Sequence, residues 1–160
     1  MSYRIEGLDP AAFRALFELD DRALAKHCVE RSFVEEPLGT PCRVSLADAE
    51  VGDEVLLLGY AHLSADSPYR ASGPIFVRRR AVEEQSAAAA FVDTVPDVLA
   101  RRVLSVRAYD SAAIMRRADV CEGTALDARI DAMFEDGSVA FLHVHYAKQG
   151  CYAARVVRAN

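Results

Sequence analysis

His143 and His145 lie two residues apart and are followed, within the length of one hairpin, by Cys151 and Arg155. These are the residues of the chain best suited to chemistry. In a β-strand, residues i and i+2 leave the same face with their β-carbons roughly 7 Å apart, so the two imidazoles can approach one substrate or one metal ion. Imidazole exchanges its proton near neutral pH, which suits general acid–base work. An arginine beside it favours an anion and lowers the histidine's pKa by like-charge repulsion. A zinc site would need at least one further ligand, for which His62 or Cys151 are the candidates. HxH alone is a weak metal signal, and no metal ligand is assigned. A cysteine next to a turn is more simply a small packing group than a nucleophile.

The hairpin that must position these groups is Phe141 to Arg158. Lys148, Gln149 and Gly150 fit a three-residue loop, a turn closed by glycine in the left-handed region. That register sets His145 opposite Ala153, His143 opposite Arg155 and Ala147 opposite Cys151. His143, His145, Cys151 and Arg155 then share one face, while Leu142, Val144, Tyr146, Tyr152, Ala154 and Val156 share the other as core. A loop longer or shorter by one moves every side chain of one strand across the sheet.

Other strands offer groups to the same site. EVLLLGYAHL, Glu54 to Leu63, is the most apolar run and is expected to be central and covered on both faces. His62 shares a face with Leu56, Leu58 and Tyr60; it reads either as a core histidine held by a carbonyl or as a ligand-binding group. The loop that follows places Arg70 beside Ser72 and Gly73, whose N–H groups would suit a carboxylate or phosphate, although a solvated connection explains it equally. In Val103 to Tyr109, Leu104, Val106 and Ala108 take one face and Ser105, Arg107 and Tyr109 the other. Arg107 is either a wet strand residue or an anion clamp.

The remaining elements read as support. Asp9 caps a helix with Pro10 at its first position, and a second short helix begins at Asp20 or Asp21, burying Leu24 and Cys28. PCRVSL, from Pro41, reads as a strand. Ala81 to Ala90 is a surface excursion, and Thr94 to Asp97 resembles a capping box. The runs ending at Tyr109 and starting near Ala113 pair as a hairpin. Thr124 caps the clearest helix, whose stripe is Leu126, Ile130, Met133 and Phe134, with Gly137 just past its end.

With 160 residues, 52% of them hydrophobic and 27% charged, the chain fits a single domain over 1–160. No apolar run approaches the roughly 20 residues of a membrane span. The net charge of −5 disfavours a phosphate backbone, so neither nucleic acid nor membrane is an expected partner. Four cysteines without a CxxC, and a start without a secretory pattern, point to reduced thiols and a cytoplasmic location. There is no GxGxxG or P-loop, and no cofactor is expected.

Taken together, PCRVSL with Asp48 and Ala49, EVLLLGY, DSPYRASGPIFVR, VRAYD, and HVH with GCYAARV resemble domain-of-unknown-function family 1203, in the same order over nearly the whole chain. The resemblance implies a single-domain bacterial protein and carries over no catalytic residue, because the family has no assigned reaction.

The expected fold is α+β, a mainly antiparallel twisted sheet or partial barrel with two to four helices packed on it. The expected function is a pocket for a small anionic ligand. Its catalytic candidates are His143 and His145, and its ligand-binding candidates are Arg70, Ser72, Arg107, Arg155 and His62. Whether it is an enzyme stays open, as do a protein-interaction module without catalysis and a metal-dependent hydrolase. The sequence does not set the oligomeric state.

Overall fold

Short strands joined by tight connections are the main regular structure of the molecule. The computed structural model describes residues 1–159. In chain order the strands and α-helices are β1 (Tyr3–Glu6), α1 (Arg14–Phe17), α2 (Asp21–Lys26), β2 (Glu30–Phe33), β3 (Pro41–Cys42), β4 (Ala47–Asp48), β5 (Glu54–Leu63) and β6 (Ala71–Arg78). There follow α3 (Arg79–Glu84), β7 (Ala90–Val92), α4 (Asp97–Ala100), β8 (Val103–Tyr109), β9 (Met115–Glu122), α5 (Leu126–Phe134), β10 (Phe141–Tyr146) and β11 (Tyr152–Arg158).

The fold is α+β, as expected, but the strands form two sheets rather than one. The first has the order β7-β1-β11-β10-β8-β9 and is antiparallel throughout. The second has the order β2-β5-β6-β3-β4, with β3 parallel to β6. Neither closes into a barrel.

One face of the first sheet is the main core. Leu104, Val106 and Ala108 of β8 and Leu142, Val144 and Tyr146 of β10 meet Leu126, Ile130, Met133 and Phe134 of α5. Those four helix residues are essentially inaccessible to water, so truncating any of them to alanine would cost about 2–5 kcal/mol. The second sheet buries Leu56, Leu58, Ile75 and Val77 against Phe13, Phe17 and Leu24 of the N-terminal region. Beyond Leu58 on that same face come Tyr60 and His62, and here the two sheets meet through Tyr152 of β11.

Local signals set several boundaries and were overridden at others. Asp9 accepts from Ala11 N–H and Asp20 from Ala23 N–H, both capping the turns that follow them. Cys28, expected to be buried behind the second helix, is exposed with φ +55° just past that helix's C-terminus. The capping boxes do not form. Thr94 donates to Val92 O instead, and Thr124 lies inside a 3-10 turn that precedes α5, so no side chain caps either helix. Gly137 is not in the left-handed region, because α5 runs into a turn in which Asp136 binds Ser138. PCRVSL is a strand only at Pro41–Cys42; the chain then turns through Arg43 to Leu46 into β4. The Ala81 to Ala90 excursion holds the last four residues of α3 and the start of β7, which extends the first sheet through β1. Strand β5 is interior, but it is covered fully on one face only: Gly59 and Ala61 are exposed.

Candidate functional site

The site is set by how β10 and β11 pair. Gly150 N–H donates to Tyr146 O at 2.7 Å and Tyr146 N–H to Cys151 O at 2.9 Å, so the loop holds four residues, Ala147 to Gly150. Gly150 has φ +78°, the left-handed conformation glycine adopts without strain. A four-residue loop alone would carry Arg155 to the core face. A β-bulge reverses that shift: His145 pairs with Tyr152, Val144 with Ala154 and His143 with Arg155, which leaves Ala153 as the extra residue.

The expected partners His143 and Arg155 are therefore opposed, but two others change sides. Tyr152, not Ala153, stands opposite His145, and it packs on the imidazoles instead of joining the core row. Cys151 pairs with Tyr146 and packs with it on the core side. Alanine at 153 and 154 makes this feasible, since small side chains let two residues crowd opposite one.

Strand β8 completes the face. Ser105 lies opposite His145 and Arg107 opposite His143, so a cross-strand row runs Arg107, His143, Arg155. From the second sheet His62 descends onto it, with ring centroids 5.1 Å from His145, 5.9 Å from His143 and 5.3 Å from Tyr152, on which it stacks. Phe141 and Tyr109 close one end, stacked on each other at 5.3 Å. His143 and His145 are buried, His62 and Arg107 are half-buried, and Arg155 is exposed. Of these groups Arg155 is the one most open to water.

The electrostatics are one-sided. The Arg155 guanidinium lies over the Phe141 ring at 4.6 Å, and Arg107 reaches Ser105 Oγ at 3.4 Å. Among the described residues neither has a carboxylate partner within ion-pair distance. Glu6 stands opposite Arg155 on β1, but its carboxylate is held by Arg4 at 2.7 Å.

Burial, then repulsion from His145, His62, Arg155 and Arg107, pushes His143 down to about 3. Burial also brings His145 to about 4, opposed by its bond to Gly150 and aided by Arg107, His62 and Arg43. His62 is lowered by burial and by Arg107. His143 and His145 are therefore neutral at pH 7. His145 Nδ1 lies 3.0 Å from Gly150 O, which can only accept, so Nδ1 carries the proton and Nε2 the lone pair. That Nε2, together with His143 Nδ1 and His62 Nδ1, is buried without a hydrogen-bond partner among the described residues.

Two sequence candidates stay outside the cluster. Arg70 turns back to Ala65 O at 3.3 Å in its own loop. Ser72 is exposed on the face of β6 opposite Ile75 and Val77. Conversely, Tyr152 and Tyr109 belong to the site and were not singled out as site residues. Tyr109 was legible from its alternation with Arg107, whereas Tyr152 depends on the bulge. His62 meets the other two imidazoles edge to face, and among the described residues no three His, Cys, Asp or Glu side chains are arranged to hold a metal ion. No helix of the described residues is long and apolar enough to cross a membrane.

The model of a family described as Protein of unknown function (DUF1203) matches residues 39–158, three quarters of the chain. The chain belongs to this family. Every residue of the histidine–arginine seam lies inside the span that defines the DUF1203 protein, whereas β1, α1, α2 and β2 precede it. No curated protein and no solved structure matches this DUF1203 chain.

Proposed function

We propose that this DUF1203 protein binds a small anion, a carboxylate or a phosphate, in the seam between its two sheets, with Arg155 and Arg107 as the binding cations. One observation carries the reading: His143 is flanked across the strands by two arginines, neither of which has a carboxylate partner among the described residues. Guanidinium groups left without counter-ions at the mouth of a low-dielectric seam favour an anion and repel a metal cation. The unpartnered ring nitrogens supply hydrogen bonds once the ligand is in place. His145 Nε2, with its lone pair fixed by the bond at Nδ1, is the natural proton acceptor, so acid–base chemistry on a bound carboxylate-bearing substrate is the reaction class this geometry suits. The protein's four cysteines, unpaired with one another, fit a reducing compartment, and the cytoplasm is the location we propose.

The test is calorimetric titration with inorganic phosphate and with malonate at low ionic strength. Arg155→Glu, at an exposed position, is expected to weaken binding about tenfold or more, the loss of one charge-assisted contact. Arg107→Gln acts in the same direction. Unchanged affinity in both variants would sink the proposal.

A further inference from the structure

On the opposite side of the same hairpin lies a cavity of about 330 Å³, within the range that accepts small ligands. Its walls include Arg43, Tyr146, Lys148 and Cys151, with Arg101 and Arg102 beside them and Glu122 as the carboxylate of the lining. Arg102 is neutralised by Asp48 at 2.6 Å, and Arg101 faces Asp48 at 3.8 Å and Asp97 at 3.6 Å. Arg43 is different. It is 1% exposed, and it donates to Tyr152 O at 2.8 Å, to Pro41 O at 2.6 Å and to Cys151 Sγ at 3.1 Å, without a carboxylate. A buried guanidinium held only by carbonyls and a sulfur lacks a counter-ion, and an anion entering the cavity would supply one. Both Arg43 and Arg102 also lie against the Tyr146 ring, at 5.0 and 5.4 Å, which fixes the cavity's inner wall.

We propose that this cavity recruits small anionic disulfides, such as those carrying carboxylates, and that Cys151 is the thiol they modify. Cys151 is a half-buried residue of the cavity lining, and its sulfur accepts from Arg43. In the reaction Cys151 gives up its thiol proton to solvent and its sulfur attacks one sulfur of the disulfide. The S–S bond breaks, and the departing thiolate takes up a proton. Cys151 ends in a mixed disulfide, oxidised, while the other half of the reagent leaves as a reduced thiol. The carboxylate now tethered in the cavity faces Arg43 and Lys148. This site is independent of the anion seam and does not rest on it.

The test compares the dianionic reagent 5,5′-dithiobis(2-nitrobenzoate) with dicationic cystamine on the folded chain, with modification assigned by peptide mass mapping. Exposed Cys28 serves as the internal reference. Cys151 is expected to prefer the anionic reagent by about tenfold relative to Cys28, the size of effect that a charged cleft produces. Lys148→Glu combined with Arg101→Glu, both at exposed positions, should remove most of that preference without requiring the buried Arg43 to change. A preference equal to that of Cys28, a preference untouched by the double charge reversal, or a Cys151 inert to both reagents would each overturn the proposal.

Discussion

His143 and Arg155 face each other across two strands even though the loop between those strands has four residues, because the bulge at Ala153 restores the register that the loop displaces. Loop and bulge act as a matched pair. Either alone would put Arg155 among Leu142, Val144 and Tyr146 and dismantle the seam. Together they exchange only Cys151 and Tyr152, sending the thiol to the Arg43 cavity and the phenol to the histidines.

The turn is therefore expected to be sensitive to Gly150. At φ +78° a side chain is strained, although nothing lies within 4 Å of an added β-carbon, so the cost is one of backbone alone. Gly150→Ala should destabilise by about 1 kcal/mol in urea denaturation, with an unchanged m-value. A neutral or stabilising effect would show that the loop does not depend on the left-handed conformation.

Stability should fall on acidification in a defined window. In the folded chain His143 is held at about 3 and His145 at about 4, against 6.5 for the free side chain. Below pH 6.5 the unfolded chain binds protons that the folded one refuses, so unfolding stability decreases as pH falls and levels off only near the folded values. Each histidine is expected to remove roughly 1–2 kcal/mol between pH 7 and pH 5. His143→Leu should flatten the slope by about half. A pH-independent midpoint over that range in the unmodified protein would show that these imidazoles are solvated.

Much of the architecture could be read from alternation and periodicity. Leu104, Val106 and Ala108 against Ser105, Arg107 and Tyr109 defined both faces of β8, and Leu126, Ile130, Met133 and Phe134 defined the buried stripe of α5. Those patterns are local. The division into two sheets was not visible, because β3 and β4 are two residues each and β1 is four, too short for a periodic signal, although Tyr3 and Ile5 alternate correctly. Pairing of His143 with Arg155 followed from the binary pattern, which rewards the same register whether a three-residue loop or a four-residue loop with a bulge produces it. Placement of Tyr152 and Cys151 requires knowing which of these occurs. Convergence of His62 on the histidines is a product of sheet packing and that of Arg107 of the pairing of β8 with β10, whereas Arg70 is held within its own loop and Ser72 alternates onto the outer face of β6. Arg43 gave no signal beyond being an arginine near a strand. Only its burial beneath Tyr146, without a carboxylate, marks it.

The central claim, that the Arg107–His143–Arg155 row is an anion site, is tested most directly by long-range ¹H–¹⁵N correlation spectra of the imidazoles during titration with inorganic phosphate at pH 7. The structure predicts a neutral His145 with its proton on Nδ1, and saturable movement of the His143 and His62 ring nitrogens that is abolished in Arg155→Glu. Ring signals that stay in place up to saturating phosphate, or that move equally in the variant, would contradict it.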